Sequence, residues 1–326
     1  MGSLLAGRLA AVVGKGPTSE STIDDVVLLG RPSDHLSAIQ ASGLTIVEQD
    51  AARSQVRVTA TDDPARVEGC EVVIIVVKSW ASAEAAAPLR RYLNRDSMVI
   101  TLQNGLGNAA ALRAALLNDG VRPHVYLGVT TQAAMRTEPG EITHTGSGIT
   151  ALGRRANPAN TPLRDIATAI TASGMPTVAV DDIHRWVWRK LAVNAAINPL
   201  TALAGVQNSA ISTDPGLQAA AENLAREVVT VGTASGVKID LNDVLAAVDD
   251  VARSTGQNRS SMLVDLENGT RTEIDAINGA VVAEARRHAI RVPANQLMTA
   301  LVRAREGRYQ TALEPKDDPD GSEAIA

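Results

Sequence analysis

The sequence predicts an α/β domain built on a doubly wound parallel sheet, followed by an all-helical domain. In the first half, continuous apolar runs such as "EVVIIVVKSW" alternate with Ala-rich helical stretches such as "ASAEAAAPLRRYL", a pattern typical of strands covered on both faces by helices. After about Asp182 only long helical segments follow. We therefore predict domains over residues 1–182 and 183–312, with a disordered acidic tail over 313–326.

The composition excludes several classes of protein. With 45% hydrophobic residues, a net charge of -5 and only 2% aromatic residues, neither a nucleic acid partner nor base stacking is expected. Cys70 is the only cysteine, so an internal disulfide and a cysteine-rich metal site are excluded, and we expect no metal and a cytoplasmic location. No apolar run approaches the ~20 residues that a membrane span needs. The oligomeric state stays open, with a homodimer as one option.

The elements of the first domain follow in order. Strands are predicted in "DDVVLLGR", "EVVIIVVKSW" and "SMVITLQNGLGN", and helices in "ASAEAAAPLRRYL" and "NAAALRAALLN". The stretch "GEITHTGSGITALG" is predicted to form a hairpin that turns at Gly146-Ser147, and "TPLRDIATAITASG" a helix closed by a glycine.

Three polar residues stand where the predicted parallel strands end. Arg31, Lys78 and Asn104 close the three runs, and open α/β sheets bind ligands beyond the carboxyl ends of their strands. A site that is cationic on one side and hydrogen-bonding on the other suits a phosphorylated nucleotide. The alternatives are that Arg31 and Lys78 are solvated loop charges and that Asn104-Gly105 is a turn dipeptide.

In the helical half, Lys190, Asn194 and Asn198 are spaced four apart in "WRKLAVNAAINPL" and share one helical face. Pro199 removes an amide, so the helix should kink or stop nearby. A structural alternative is that the two asparagines cap a broken helix while Lys190 extends to water.

Glu273 favours a chemical role for this face. In "RTEIDAING", Thr272 is predicted as an N-cap with Asp275 in the capping-box position, which places Glu273 in the first turn of a helix. A lysine beside a carboxylate, with neutral hydrogen-bonding groups around it, can hold a carbonyl substrate and deliver a proton to it.

The strings "WRKLAVNAAINPLTA", "SSMLVDLENGTRTEIDAING", "VKSW" and "LQNGLGN" resemble those of ketopantoate reductases, which reduce 2-dehydropantoate to pantoate with NADPH in pantothenate synthesis. The resemblance covers the chain from Met1 to about Tyr309 and implies a Rossmann-like first domain. It implies that Lys190 is the general acid and that Glu273 orients it and the substrate. Substrate contacts are implied for Asn194, Asn198, Ser261 and Asn258.

On the cofactor side, the resemblance implies that Arg31 and Lys78 face the 2'-phosphate of NADPH. Asn104 would link the cofactor and substrate sites, and Glu273 is also expected to contact the cofactor. A 2-keto acid is the implied small-molecule substrate. A reductase of the same architecture that acts on another 2-keto acid remains an alternative.

The beginning of the chain departs from the family pattern. These enzymes normally start with a short strand and a G-x-G-x-x-G fingerprint, and here Gly2 matches the final glycine, with the strand and the first two glycines absent. "GKGPTSESTID" further suggests a surface insertion. Two alternatives stay open: an active reductase whose recorded start is too late, with organellar targeting residues upstream not excluded, or a non-catalytic remnant. A chain that begins at Met1 is expected to bind NADPH weakly.

Overall fold

The computed structural model describes residues 1–14, 23–118, 120–154 and 161–313. Most of the predicted insertion in "GKGPTSESTID" and nearly all of the predicted tail over 313–326 lie outside these residues. The chain divides into two compact units, Met1–Lys190 and Leu191–Ala326.

The first unit contains strands and helices that alternate along the chain, as the apolar pattern predicts. Its helices are α1 (Gly2–Ala10), α2 (Asp34–Ser42), α3 (Ser82–Ala86), α4 (Asn108–Ala115) and α5 (Thr161–Ala172). Its strands are β1 (Val27–Leu29), β2 (Leu44–Val47), β3 (Arg53–Val56), β4 (Thr59–Thr61), β5 (Val72–Ile75), β6 (Met98–Thr101), β7 (His124–Thr130), β8 (Ala133–Glu138), β9 (Glu141–Gly146), β10 (Thr150–Gly153) and β11 (Thr177–Ala179).

The strands form three sheets. The largest has the order β11-β10-β7-β6-β5, in which β5, β6 and β7 are parallel to one another, β10 runs antiparallel to β7, and β11 runs parallel to β10. A parallel pair, β1 and β4, forms a second sheet, and a four-stranded sheet has the order β3-β2-β9-β8. The parallel strands with interspersed helices confirm the predicted Rossmann-like α/β domain.

The predicted hairpin at Gly146-Ser147 is wrong. Strand β9, which ends at Gly146, pairs with β8 and β2, whereas β10 pairs with β7 and β11 in another sheet. The hairpin instead joins β8 to β9 through Pro139-Gly140, where Gly140 has a φ of 77°. A positive φ at this turn favours glycine, because a side chain is strained in that conformation.

The core of the first unit includes side chains from helices and strands alike. Leu4 and Leu5 of α1 are buried with Ile46 of β2 and Ile100 of β6. A Cβ at Gly7 would lie 2.9 Å from the Ile46 Cδ1 atom. Helix α1 therefore approaches β2 closely only because this position carries no side chain.

The described residues of the second unit form helices joined by turns and loops, with no strand among them, as predicted. Helix α6 (Ile183–Ala204) begins in the first unit, and the helices that follow are α7 (Ala210–Thr213), α8 (Pro215–Ala234), α9 (Leu241–Ser254), α10 (Ser261–Glu267), α11 (Asn278–Arg287) and α12 (Pro293–Leu313). In the part of the chain that the structure describes, none of the helices combines the length and the apolar character needed to cross a bilayer.

Candidate functional site

The carboxyl ends of three parallel strands meet at one edge of the five-stranded sheet. Ile75 of β5 is in register with Thr101 of β6, which is in register with Leu127 of β7. Three positions beyond each member of this row stand Lys78, Asn104 and Thr130. The register therefore places two of the predicted cofactor residues at the same edge of the sheet, where α/β proteins bind ligands.

Gln103 joins the loops that follow β5 and β6. Its amide nitrogen donates to the Val77 carbonyl oxygen at 2.9 Å and lies 2.7 Å from the Ser82 hydroxyl, and its amide oxygen accepts from the Thr101 hydroxyl at 2.9 Å. These bonds fix the loop with Lys78 against the loop with Asn104. Sequence reasoning missed Gln103, although its position beside Asn104 at a strand end was a usable signal.

The Asn104 loop has a second support. The buried side chain of Asn108 donates to the Asn104 carbonyl oxygen at 2.9 Å, and Gly105 and Gly107 have φ values of 85° and 89°. The turn interpretation of Asn104-Gly105 is thus correct for the backbone, and it leaves the half-buried Asn104 side chain at the edge of the sheet.

Lys190 belongs to the same edge. The ammonium nitrogen of Lys190 donates to the Thr130 carbonyl oxygen at 2.6 Å, at the last residue of β7. The lysine is half-buried, so the alternative in which it simply extends to water does not describe this structure. Its charged group is held where β7 ends.

A buried polar network holds the segment that provides this carbonyl. The Thr130 hydroxyl accepts from the Gln132 backbone amide at 3.2 Å and from the Thr150 hydroxyl at 2.9 Å. The amide oxygen of Gln132 lies 2.9 Å from His144 Nε2, and the other ring nitrogen of His144 lies 3.1 Å from Glu48. Because Thr130, Gln132 and His144 are all buried, the carbonyl that holds Lys190 has a fixed position.

The start of α1 packs against the residue that follows β5. A Cβ at Gly2, the first residue of α1, would lie 3.0 Å from Val76 Cγ2, just beyond β5. Backbone amides at a helix N-terminus bind anions, and the absence of a side chain lets the backbone approach closely. Behind this turn, Ser3 Oγ lies 3.0 Å from His35 Nε2, and the Gly140 amide donates to His35 Nδ1 at 3.0 Å. Burial is the main cause that lowers the pKa of His35, with a smaller contribution from Arg136.

Arg31 follows β1 and remains largely in solvent. Its guanidinium lies 3.8 Å from the carboxylate of Glu84 in α3, and its side chain is 74% exposed. This pair places Arg31 near the segment after β5, and the exposure leaves the guanidinium accessible to an anion.

In the second unit, the predicted substrate residues differ in exposure. Asn194 is half-buried and Asn198 is buried, both on α6. The helix does not stop at Pro199 but continues to Ala204, so capping of a broken helix does not explain the two asparagines.

Two adjacent serines at the start of α10 have different environments. Ser260 is buried, caps α10 by accepting from the Leu263 amide at 3.2 Å, and lies 2.8 Å from the Thr201 hydroxyl of α6. Ser261 and Asn258 are exposed. The Ser260 contact therefore brings the exposed Ser261 to the part of α6 that follows Asn198.

The predicted capping box at Thr272 is wrong. Helix α11 begins at Asn278, and the Thr272 hydroxyl accepts from the Ile274 amide at 3.1 Å in a turn that precedes the helix. Glu273 lies in this turn and is 6% exposed; its carbonyl oxygen accepts from the Ala276 amide at 3.0 Å. Its carboxylate is therefore positioned by a buried turn and not by a helix N-terminus.

Asp275 is held by cations and not by a cap. Arg303 donates to it at 2.7 Å and Arg271 at 3.1 Å. Burial acts to raise the pKa of Asp275, but the two arginines outweigh it and hold the pKa below its usual range. Asp275 is thus an ionised support for the turn that contains Glu273.

Comparison with known families follows this division of the chain. The family description "Ketopantoate reductase PanE/ApbA" matches residues 1–157, and "Ketopantoate reductase PanE/ApbA C terminal" matches residues 182–306. The chain belongs to the ketopantoate reductase family. A 2-dehydropantoate 2-reductase of Halobacterium salinarum is 39% identical over 93% of this chain and 95% of its own. The enzyme of the same name from Pyrococcus horikoshii is 31% identical over 94% of both chains.

Solved structures share the fold of this chain. The PanE/ApbA family ketopantoate reductase from Ralstonia eutropha has a TM-score of 0.81 at 31% identity, covering 94% of this chain and 95% of its own. A ternary structure of D-mandelate dehydrogenase with NADH and anilino(oxo)acetate has a TM-score of 0.83 at 20% identity, covering 94% and 96%. At that identity the likeness concerns the fold alone.

The residues predicted from the ketopantoate reductase resemblance fall into two sets. One belongs to the first unit and comprises Gly2, Arg31, Lys78, Asn104 and Lys190. The other belongs to the second unit and comprises Asn194, Asn198, Asn258, Ser261 and Glu273. Their roles stay predictions.

Proposed function

We propose that this chain catalyses the NADPH-dependent reduction of 2-dehydropantoate to pantoate, a step of pantothenate biosynthesis. Family membership over both units and relatives named 2-dehydropantoate 2-reductase support the reaction. The observation that carries the mechanism is the Lys190 ammonium held by the Thr130 carbonyl at the carboxyl edge of the sheet. A reduction of a ketone needs a proton donor, and Lys190 supplies one.

The cofactor is proposed to bind to the first unit. Gly2 at the start of α1 would take the pyrophosphate, Arg31 and Lys78 the 2'-phosphate, and Asn104 the nicotinamide side. NADPH supplies the hydride that reaches the keto carbon. The helix N-terminus at Gly2 and the exposed guanidinium of Arg31 at a strand end suit a group that carries phosphates.

Lys190 acts on the keto oxygen. Its ammonium stabilises negative charge as it develops there and then transfers one proton from Nζ to the alkoxide oxygen, which becomes the hydroxyl of the product. The Thr130 carbonyl is a neutral acceptor that directs the ammonium and adds no opposing charge. Lysine regains its proton from solvent after product release.

The substrate groups are proposed in the second unit. Asn194 and Asn198 bind the hydroxyl and carbonyl region, and Ser261 and Asn258 bind the carboxylate, for which their exposure leaves them available. The resemblance assigns to Glu273 an orienting role in catalysis and a contribution on the cofactor side. The residue is buried, and its backbone carbonyl is held in a turn.

The test compares lysine variants in an NADPH oxidation assay with 2-dehydropantoate. Lys190→Ala is expected to lower kcat by roughly 10²–10⁴, the usual contribution of a positioned acid, with little change in Tm. Lys238→Ala, at an exposed lysine of the second unit, serves as the matched control. A near-normal kcat for Lys190→Ala would show that the lysine has a structural role and is not the proton donor. Turnover of another 2-keto acid but not of 2-dehydropantoate would show that the proposed substrate is wrong.

Glu273→Gln separates orientation from charge. The amide keeps the size of the side chain but removes the negative charge on which the proposed orienting role depends. We expect a lower kcat together with a higher KM for the keto acid, because the role assigned to Glu273 affects both catalysis and substrate binding. An unchanged kcat and KM would remove Glu273 from the proposed site.

We also propose that the protein works as a homodimer in the cytoplasm. Leu297 and Leu301 are spaced four apart on α12 and are 54% and 43% exposed, which makes this helical face a candidate contact. Light scattering after size exclusion gives the mass in solution, and Leu297→Glu should shift a dimer to monomer. Fractionation of cells expressing the tagged protein tests the location.

A further inference from the structure

Helix α6 contains a proline that should leave one buried carbonyl without a partner. Pro199 has no amide hydrogen, so it cannot donate to the carbonyl oxygen of Ala195 one turn earlier. Ala195 is fully buried, which excludes bulk water as a substitute. Another donor is therefore expected to pair with this carbonyl.

Asn278 is that donor. Its amide nitrogen donates to the Ala195 carbonyl oxygen at 3.1 Å and to the Asn295 amide oxygen at 2.9 Å, and both asparagines are fully buried. Both hydrogens of the Asn278 amide group are thus used. Its amide oxygen has no hydrogen-bond partner among the described residues, so the two donated bonds are what this side chain contributes.

The orientation of this amide is fixed by the rest of the chain of bonds. Asn295 Nδ2 donates to Glu227 at 2.8 Å and to the Leu224 carbonyl oxygen at 3.2 Å, so its oxygen must face Asn278. Glu227 also accepts from the backbone amides of Ala294 and Asn295 at 2.9 Å each. The ionised carboxylate of Glu227 can only accept hydrogen bonds, so Asn295 must point its amide nitrogen at Glu227 and its amide oxygen at Asn278. The direction of each hydrogen bond in this network is therefore determined.

The position of Asn278 connects two parts of the proposed substrate site. Ala195 stands between Asn194 and Asn198 on α6, and Asn278 directly follows the turn that begins at Glu273, whose carbonyl oxygen accepts from the Ile277 amide at 3.0 Å. We propose that Asn278 is a positioning residue that uses the carbonyl freed by Pro199 to hold the Glu273 turn against the Asn194–Asn198 segment. The effect on substrate binding rests on the proposed function, whereas the contact itself does not.

A double-mutant cycle on Pro199 and Asn278 tests the contact. Asn278→Ala should lower Tm by about 4–8 °C, since it leaves a buried carbonyl unpaired. In the Pro199→Ala background the fall in Tm should be clearly smaller, because the introduced alanine has an amide hydrogen that can donate to the Ala195 carbonyl within the helix. The bond between Asn278 and Asn295 is lost in both backgrounds, so it does not contribute to the difference. Equal falls in the two backgrounds would overturn the contact. If Asn278→Ala does not fold and the double variant does, the coupling is shown directly.

Kinetics of the folded variants test the positioning. Asn278→Ala should raise KM for 2-dehydropantoate by about tenfold to a hundredfold, with a smaller change in kcat and with the Kd for NADPH within about twofold. The double variant should show the smaller fall in Tm but keep the raised KM, since an intact helix does not restore the link to the Glu273 turn. Recovery of KM together with Tm, or a normal KM in Asn278→Ala, would overturn the positioning role. If the unmodified protein does not turn over 2-dehydropantoate, the proposed function fails and the stability cycle still decides the contact.

Discussion

Replacement of Gln103 should weaken the cofactor side of the site without touching the cofactor. Gln103→Leu removes hydrogen bonds to Val77 at 2.9 Å, Ser82 at 2.7 Å and Thr101 at 2.9 Å. The leucine that replaces the glutamine is apolar and of similar size. Each bond contributes about 0.5–1.5 kcal/mol, and because Gln103 is only half-buried we take the lower part of that range, a total of about 1.5–3 kcal/mol. For a unit of this size, that lowers Tm by about 3–12 °C.

The loop with Lys78 then loses its fixed position beside Asn104, so NADPH binding should weaken by about tenfold, which corresponds to about 1.4 kcal/mol of binding free energy. The assay is thermal unfolding together with NADPH titration by fluorescence. Ser82→Ala removes one of the three bonds together with the bond that the Ser82 hydroxyl donates to the Ser79 carbonyl oxygen at 2.7 Å, so it should give roughly two thirds of the loss in Tm. A Tm within about 1 °C of the unmodified protein and an unchanged Kd in Gln103→Leu would refute the role of this amide.

Three further predictions concern the strand ends, His35 of α2 and the start of α10. Arg31→Ala should raise the Kd for NADPH by about tenfold and leave that for NADH unchanged, because the guanidinium would lose a charge-assisted contact to the extra phosphate; equal losses for both cofactors would contradict it. Because the pKa of His35 is lowered in the folded protein, the unfolded chain binds a proton at this side chain more readily, and the free energy of unfolding should fall as pH drops below about 6.5. In urea unfolding at several pH values, His35→Gln should flatten this pH dependence. An unchanged pH dependence in the variant would exclude His35 as the cause. Ser260→Ala should lower Tm by about 2–8 °C, because α10 loses its N-cap and the contact with Thr201. Ser261→Ala should leave Tm unchanged and raise KM for the keto acid. A lower Tm in Ser261→Ala and a raised KM without a lower Tm in Ser260→Ala would contradict these roles.

The first unit shows how far local patterns predict a fold. Continuous runs of Val and Ile placed β5 and β6 correctly, and their ends identified the edge at which Lys78 and Asn104 lie. The pattern did not predict the partner of a strand, because alternation defines which face is buried but not which neighbour donates its hydrogen bonds. The strand that ends at Gly146 therefore looked like one arm of a hairpin with the next strand, although the two belong to different sheets.

The Glu273 region shows a second kind of limit. Thr272 followed by an acidic residue three positions later satisfies the pattern of a capping box, but the helix begins at Asn278. Arg303, which lies far along the chain on α12, binds the Asp275 carboxylate at 2.7 Å and removes it from any cap. A tertiary ion pair of this kind leaves no local trace in the sequence, so the start of the helix was misplaced.

At Pro199 the local sequence correctly predicts the loss of one helical hydrogen bond, but it does not show which group replaces that bond. Loss of its amide follows from the residue type alone, and so does the unpaired carbonyl of Ala195. Whether the helix then ends depends on whether some other group can reach that carbonyl, and the donor is Asn278, at the start of α11. Because Ala195 is fully buried, the pairing of its carbonyl with Asn278 stabilises α6 across the proline and couples this part of the helix to the Glu273 turn. The same bond that rescues the helix therefore holds the proposed substrate residues Asn194 and Asn198 in place relative to the carboxylate, and loss of Asn278 should affect stability and substrate binding together.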